Sequence, residues 1–304
     1  MGKDFVDLAR QGENAWWRYL ASILLIVFGW LAFSILLVVV MATILMLDGN
    51  PATGLNLNTG QFEGVAPVLI MGVSLFGSLP LIAALFVAVR FIHQRPFLTL
   101  ITPRARIDLK RVGLGFGFFL ILVIAASVIE ALLFPGRYQF TWDAKEFLKF
   151  APFALVLVPI QTTAEELLFR GYVLQGVGVA TGRPIIAATI SSFLFMVLHL
   201  ANPEVQIDLL LLPAYYFGVG LLLALVTLRD NRLELAIGAH TAINLFVFLF
   251  ANYVGSVLPS PAVFTVSELD PQYALVSFAV MGILFYVGLF ARRRLVSVAK
   301  DGVS

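Results

Sequence analysis

The chain has 304 residues, of which 60% are hydrophobic and 12% are charged, and its mean hydropathy is +0.96. A soluble protein of this length has about 45–50% apolar and about 25% charged residues, so the composition excludes an ordinary soluble domain. The absence of cysteine excludes disulfides, thiolate metal sites and cysteine nucleophiles. The formal net charge of +2 is small, and we expect no nucleic-acid partner.

Apolar runs of roughly twenty residues recur along the whole chain, and this is the length that an α-helix needs to cross a bilayer. Because lipid offers no hydrogen bonds to the backbone, long unalternating runs favour a helix bundle over a β-barrel. We therefore expect an all-α polytopic membrane protein in which residues 1–304 form a single membrane-embedded domain. The eight predicted spans cover about 19–46, 65–89, 112–134, 151–176, 184–200, 208–228, 233–252 and 272–291.

Lysine and arginine concentrate in alternate connections between these spans, and the other connections contain only Arg137, Lys145 and Lys149. Positive residues mark the cytoplasmic loops, so the pattern predicts that both termini are cytoplasmic in a multi-pass protein of the cell (inner) membrane. Residues 1–18 are then a cytoplasmic or interfacial segment. The loops without any lysine or arginine are 47–64, 201–207 and 253–271.

Ionisable side chains inside the spans are the main functional signal, because each costs at least a few kcal/mol and needs a partner. They occur in "AEELLFR" of the fourth span, "FMVLH" at the end of the fifth and "HTAIN" of the seventh. Two of the three histidines, His199 and His240, are therefore intramembrane. Glu130 near the end of the third span has no motif around it, and we expect it to be solvated.

Helical geometry separates the two adjacent acids of the fourth span. Neighbouring residues lie about 100° apart, so Glu165 and Glu166 are not expected to point at one spot. Glu166 and Arg170 are spaced i,i+4 in the order that favours an ion pair, which leaves Glu165 on another face. His240 and Asn244 share the same spacing. An ion pair or a histidine alone is an ordinary structural feature. The combination of Glu, two His and Asn on three helices favours a functional site over separate structural contacts.

Depth in the membrane is a weaker test of that grouping. Counted at ~1.5 Å per residue from the cytoplasmic ends of the spans, Glu165 lies ~16 Å deep, His240 ~10 Å and Asn244 ~16 Å. His199 lies ~22 Å deep on the same basis. A single site therefore requires tilted helices or a fifth span that enters deeply.

The three motifs fit the patterns E-E-x-x-x-R, F-x-x-x-H and H-x-x-x-N, in that order, over about eighty residues. In this respect the chain resembles the CAAX-protease and bacteriocin-processing family of intramembrane peptidases. Eukaryotic relatives in that family remove the last three residues of prenylated CAAX proteins. The resemblance covers about 150–250, the expected catalytic core, and implies a peptide or protein substrate at the lipid bilayer.

The resemblance also implies a role for each motif residue. Glu165 and His199 would handle the attacking water, and His240 and Asn244 would stabilise the oxyanion. Glu166 and Arg170 would support the site. A buried carboxylate is suited to act as a general base, and this mechanism needs no metal. No cofactor is therefore favoured.

Two alternatives stay open at this stage. Glu165, His199 and His240 form an acceptable three-ligand zinc set, which would make the protein an intramembrane metalloprotease. Against this, the ligands are not arranged as HExxH, and Glu166 would have to act as the base while paired with Arg170. The other alternative is a non-catalytic membrane protein, either a transporter or a peptide-binding immunity protein. Proton-coupled transporters also bury Glu and His, but the broken helices typical of transporters are not found in corresponding halves.

Overall fold

Long helices form the architecture, and each predicted apolar run corresponds to one of them. The structure is a computed structural model that describes residues 3–50, 52–56 and 61–301, with the backbone alone for residues 3, 4, 61 and 292–301. The side chains of the basic C-terminal residues Arg292, Arg293, Arg294 and Lys300 thus lie outside the described part. After a short N-terminal helix, Lys3–Asp7, the main helices are α1 (Trp16–Leu47), α2 (Pro67–Ile92), α3 (Leu109–Leu133), α4 (Ala144–Thr181), α5 (Pro184–His199), α6 (Leu211–Asp230), α7 (Glu234–Leu249) and α8 (Pro271–Asp301).

The all-α polytopic class is confirmed. Among the described residues, six helices are long and apolar enough to cross a membrane, whereas α5 and α7 are apolar but only 16 residues long. A helix of 16 residues measures about 24 Å, which is shorter than a typical hydrocarbon core of about 30 Å. The count of eight crossings and the cytoplasmic position of both termini therefore stay predictions.

Helix α4 is longer than the predicted span 151–176. It begins after Asp143, whose carboxylate accepts hydrogen bonds from the backbone N–H groups of Lys145 and Glu146 at 2.9 and 3.1 Å. This is an N-cap, which satisfies donors that a helix start leaves unpaired. Directly after the acidic pair the helix widens into a π-helical turn, Leu167–Val173. Such turns are rare and often occur at functional sites.

Helix α7 lies at the centre of the fold and packs closely on α3. A Cβ atom added to Gly238 would lie 2.0 Å from the carbonyl oxygen of Val112, and one added to Gly115 would lie 2.3 Å from that of Leu235. Glycine at both positions lets the two backbones approach more closely than any other residue would allow. The helix that carries His240 is thereby fixed against its neighbour.

Short strands cover one end of the helices. β1 (Gly54–Asn56) and β2 (Gln61–Glu63) form an antiparallel hairpin, and a second sheet has the order β3–β5–β4. In that sheet β3 (Tyr138–Phe140) runs antiparallel to β5 (Phe264–Val266), and β4 (Ala251–Tyr253) runs parallel to it.

Glu130 differs from the sequence expectation. Its carboxylate lies 3.0 Å from the guanidinium of Arg137 and accepts a 2.7 Å hydrogen bond from the hydroxyl of Tyr138, so the side chain is paired and only 13% exposed. Arg137 follows the end of α3 closely enough to fold back onto it, which the apolar pattern of the span does not reveal.

The N-terminal segment packs against the bundle. Phe5 is fully buried and belongs to one apolar cluster with Leu174 of α4 and Leu228 of α6. The backbone N–H of Glu13 donates to the carbonyl of His93 at 2.8 Å, which ties the segment to the end of α2. The expected assignment of residues 1–18 as an interfacial segment stays a prediction, and residues 1 and 2 lie outside the described part.

Candidate active site

The centre of the site is an ion pair without solvent contact. Nη1 of Arg170 donates to Oε1 of Glu166 at 2.7 Å, and both side chains are fully buried. Nη2 of the same guanidinium donates to the backbone carbonyl of Gly220 on α6 at 3.1 Å. The i,i+4 pair expected from the sequence is therefore present, and it also connects α4 to α6. A buried charge of this kind is stable only while its partner is in place.

His240 lies between the two acids. Its Nδ1 is 2.8 Å from Oε1 of Glu166, and its Nε2 is 3.6 Å from Oε2 of Glu165. Oε1 of Glu166 accepts from Arg170 and is the acceptor for His240 as well, so Nδ1 carries the proton of this contact. The two adjacent acids thus reach one residue in spite of their 100° separation, because an imidazole offers a nitrogen on each side.

Glu165 is held at one oxygen only. Nε2 of Gln161 donates to Oε1 of Glu165, and the Glu165 side chain is 22% exposed. Its Oε2 atom is buried and has no hydrogen-bond partner among the described residues. Oε1 of Gln161 in turn accepts from Nδ2 of Asn244 at 3.2 Å. One amide side chain therefore connects the free acid to the asparagine of the third motif.

His199 is the final residue of α5, and its imidazole is held by its own helix. Nδ1 lies 2.7 Å from the carbonyl oxygen of Phe195, which can only accept, so the proton is on Nδ1 and Nε2 is the free acceptor. The Phe195 ring lies 4.3 Å from the His199 ring and 5.9 Å from the His240 ring, between centroids. On its other side the His199 ring stacks on Tyr216 at 4.5 Å.

The predicted set is therefore brought together only in part. Glu165, Glu166, Arg170, His240 and Asn244 are linked by contacts on α4 and α7, directly or through Gln161. His199 adjoins them across Phe195, and in the part of the chain that the structure describes no hydrogen bond joins it to Glu165.

Three polar residues at the site escaped the sequence reasoning. Gln161 lies four residues before Glu165, and this spacing on one helical face was the signal available for it. Tyr216 looked like one more aromatic of an apolar span. Glu204 lies in a loop noted only for its lack of lysine and arginine, yet its side chain is 2% exposed and accepts a 2.5 Å hydrogen bond from the Tyr216 hydroxyl.

The arrangement does not fit a three-ligand metal site. Zinc would require Glu165, His199 and His240 to converge on one point. Nε2 of His240 faces Glu165, but the ring of Phe195 lies next to both histidines, and in the described part of the chain no contact joins His199 to Glu165. Among the residues that the structure describes, no three His, Asp or Glu side chains form a group that could hold a metal ion.

The chain is similar in sequence to a known protein family and to a bacterial relative. Residues 146–246, which contain all three motifs, match the family described as type II CAAX prenyl endopeptidase Rce1-like. The chain is 34% identical over 269 residues to the uncharacterized protein YyaK of Bacillus subtilis (strain 168), which covers 86% of this chain and 87% of the relative. No solved structure matches the chain.

Proposed function

Because the chain belongs to the type II CAAX prenyl endopeptidase Rce1-like family, we propose that it is an intramembrane endopeptidase. Its family is one of peptidases, and its apolar helices make it a multi-pass membrane protein. The substrate we propose is a peptide or protein held at the lipid bilayer, cleaved within the membrane-associated part or near its C-terminus. The proposed location is the cell (inner) membrane.

The proposal depends most on the free oxygen of Glu165. One oxygen of this carboxylate is held by Gln161, and the other is buried, unpaired and 3.6 Å from Nε2 of His240. A general base must be within hydrogen-bond reach of the proton that it removes, and its orientation must be fixed beforehand. In the proposed reaction Glu165 takes a proton from water, and the water oxygen bonds to the carbonyl carbon of the substrate.

Asn244 and His240 are the proposed donors to the oxyanion that forms. The amide nitrogen of Asn244 uses one N–H on Gln161, which leaves its second N–H for the substrate oxygen. In the proposed mechanism His240 is an imidazolium, whose Nδ1–H is directed at Glu166 and whose Nε2–H is the second donor to the oxyanion. One such donor in a dry site contributes about 3–4 kcal/mol to the stability of the transition state. The carbon–nitrogen bond then breaks, and Glu165 returns its proton to the leaving nitrogen.

Glu166, Arg170 and His199 have supporting roles in this mechanism. The chain from Arg170 through Glu166 to His240 fixes which imidazole nitrogen faces the reacting atoms, as the acid of a catalytic triad does. The proposed role of His199 is to contact the attacking water through its free Nε2. We propose that the reaction proceeds without a metal, because the carboxylate and the donors supply the base and the oxyanion contacts.

Peptide cleavage by the purified protein tests the proposal. The wild type in nanodiscs would be given a library of C-terminal, membrane-anchored peptides, with and without a strong chelator. Glu165→Gln should abolish cleavage, because an amide cannot take the proton. The matched control is Glu130→Gln, a paired acid away from the site, which should cleave like the wild type.

Each other outcome has a definite meaning. Cleavage by Glu165→Gln at the wild-type rate would contradict the role of Glu165. Cleavage that is lost with the chelator and restored by zinc would replace the proposed mechanism with the zinc-dependent one. If a well-folded wild type cleaves no peptide in the library, a non-catalytic peptide-binding or immunity protein becomes the better interpretation.

A further inference from the structure

Another buried carboxylate, that of Glu204, lies next to the site and has no role in the mechanism above. Glu204 is 2% exposed, and its Oε1 accepts hydrogen bonds from the hydroxyl of Tyr216 at 2.5 Å and from Nδ2 of Asn202 at 3.1 Å. No lysine or arginine side chain in the described part of the chain forms an ion pair with it. Burying a carboxylate is costly unless hydrogen bonds replace those that it made to water. The two neutral donors at Glu204 therefore indicate that the carboxylate is kept there for a structural or functional reason.

Tyr216 extends from this carboxylate to the imidazole of His199. Its hydroxyl is at Glu204, and its ring stacks on the His199 ring with centroids 4.5 Å apart and planes inclined by 29°. The opposite face of the same imidazole lies against Phe195, at 4.3 Å and 36°. The His199 ring is therefore enclosed between two aromatic rings, and the hydroxyl of one of these is hydrogen-bonded to the side chain of Glu204.

We propose that Glu204 is a positioning residue for His199 and acts through the hydroxyl of Tyr216. A stacked phenol without a fixed hydroxyl is free to slide or tilt along the imidazole face. With the hydroxyl held at Glu204, the plane of the Tyr216 ring is fixed, and so is the plane of His199. Since Nδ1 is already held by the carbonyl of Phe195, a fixed plane determines the direction of the free Nε2. The inference rests on the proposed function, because it assigns a purpose to that direction.

The same carboxylate connects the site to the sheet that covers one end of the helices. Tyr253, on strand β4, lies near enough to Glu204 for the pKa of its hydroxyl to respond to that carboxylate. Burial, together with the charge of Glu204, raises the pKa of Tyr253 well above its ordinary value of 10.0, so this hydroxyl stays a donor at every physiological pH. Glu204 thus joins α6, the loop after α5 and strand β4 behind His199.

A double-mutant cycle on peptide cleavage tests the proposal. Glu204→Gln removes the charge, Tyr216→Phe removes the hydroxyl and keeps the stacked ring, and the double variant has both changes. We expect each single variant to lower kcat about tenfold with KM nearly unchanged, because a misdirected group loses rate and not substrate affinity. Glu204→Gln should have no further effect in the Tyr216→Phe background, since Glu204 acts through that hydroxyl.

A matched pair on the same protein controls for the general effect of removing a buried tyrosine–glutamate bond. Tyr138 donates to Glu130 at 2.7 Å, a similar bond that does not touch the site. Tyr138→Phe and Glu130→Gln should lower the thermal midpoint as the site variants do, with kcat unchanged. The proposal would be overturned if Glu204→Gln lowered kcat by the same factor with and without Tyr216→Phe. It would also be overturned if Glu204→Gln changed only the thermal midpoint.

A second measurement does not depend on cleavage. The chain has three histidines, so histidine-labelled protein gives three sets of imidazole NMR signals, which single His variants assign. Glu204→Leu should shift the His199 signal, because the ring current of Tyr216 changes when its anchor is lost, and it should leave His93 in place. An unchanged His199 signal would overturn the positioning role. If the wild type cleaved no peptide but Glu204→Leu still shifted the His199 signal, the peptidase function would be contradicted. The positioning of His199 by Glu204 would still be supported.

Discussion

Nδ1 of His240 lies 2.8 Å from Oε1 of Glu166, and this contact decides which imidazole nitrogen faces Glu165. The two consecutive acids therefore have different surroundings. Each acid has one buried oxygen without a hydrogen-bond partner, but Glu166 is fully buried and paired with Arg170, whereas Glu165 is 22% exposed and has no arginine partner. The motif places Glu166 where it holds the site together and Glu165 where it is free to react.

This difference predicts that the two acids separate stability from activity. Glu166→Gln leaves the guanidinium of Arg170 buried without its counter-charge, and breaking a buried pair in this way costs about 3–5 kcal/mol. We expect Glu166→Gln to lower the thermal midpoint strongly and also to lose cleavage, because Nδ1 of His240 then faces a neutral amide in place of a carboxylate. Glu165→Gln should abolish cleavage while the thermal midpoint stays within a few degrees of the wild type.

Thermal unfolding in detergent, followed by tryptophan fluorescence, checks this prediction beside the cleavage assay. The double variant Glu166→Gln/Arg170→Gln is the control, since it removes both charges and should recover part of the stability without recovering activity. If Glu165→Gln were as destabilising as Glu166→Gln, the two acids would have the same structural role, and the assignment of Glu165 as the free base would be wrong.

Gln161 supplies a second prediction. Its side chain donates to Glu165 and accepts from Asn244, so Gln161→Ala releases the proposed base and a proposed oxyanion donor together. We expect kcat to fall about a hundredfold, the scale on which small displacements of reacting groups act. Gln175→Ala is the matched control. That glutamine is buried and also makes two hydrogen bonds, with Arg95 and with the carbonyl of Thr99, away from the site.

The control should lose thermal stability and keep its kcat. The steady-state parameters of both variants on one peptide from the library provide the measurement. A Gln161→Ala variant with wild-type kcat would show that Glu165 and Asn244 hold their positions without the amide.

Much of this site could be predicted from the sequence, because its polar residues are costly in a membrane and the helical period relates them. The i,i+4 spacing of Glu166 and Arg170 correctly predicted a contact within one helix. The contact between Glu166 and His240 depends on how α7 is rotated against α4, and a single sequence has no information about that rotation. The same applies to Phe195 and His199: their shared face was predictable, but not the position of Phe195 next to His240.

The fold shows the same limit. The helices follow from apolar runs, but the start of α4 was misplaced because "AKEFLKF" looks like a polar loop. Asp143 caps that segment and turns it into the first two turns of the helix, as a D-x-x-E pattern at residues 143–146 could have indicated. The burial of Glu204 has no local signal, since it results from the packing of a loop against α6 and β4.

The attachment of the N-terminal segment predicts a dependence of stability on pH. His93 is buried, with Nδ1 2.8 Å from the carbonyl of Glu13 and Nε2 2.9 Å from the hydroxyl of Tyr172. Burial lowers the pKa of His93 from its ordinary value of 6.5, and the nearby Arg95 and Arg18 lower it further, while the bond to Glu13 opposes this. Below pH 6.5 the unfolded state therefore binds a proton that the folded state binds less readily.

The contribution of His93 to the free energy of unfolding is thus fully present above pH 6.5. It decreases as the pH falls through and below that value, by at most about 1.4 kcal/mol per pH unit. Thermal midpoints measured between pH 7.5 and 5.5 check the sign. His93→Gln, which keeps hydrogen-bonding groups and cannot titrate, should show a flatter profile than the wild type. Identical slopes would mean that His93 does not contribute to the pH dependence.

The close approach of α7 and α3 gives the last prediction. A Cβ atom at Gly238 would lie 2.0 Å from the carbonyl oxygen of Val112 and 2.6 Å from the backbone nitrogen of Phe116. Backbone atoms cannot rotate away as a side chain does, so Gly238→Ala must push α7 off α3. We expect a loss of about 1–3 kcal/mol of stability from this overpacking. Cleavage should also decrease, because His240 is two residues along the displaced helix.

Gly117→Ala is the matched control for this change. Gly117 lies on α3 as well, but a Cβ atom added there meets no atom within 4 Å. Alanine has a helix propensity about 1 kcal/mol more favourable than glycine, so this variant should unfold at or slightly above the wild-type temperature and keep its activity. The thermal midpoints and cleavage rates of the two variants test this prediction. If Gly238→Ala matched Gly117→Ala in both, the contact between α3 and α7 would not be what holds His240 in place.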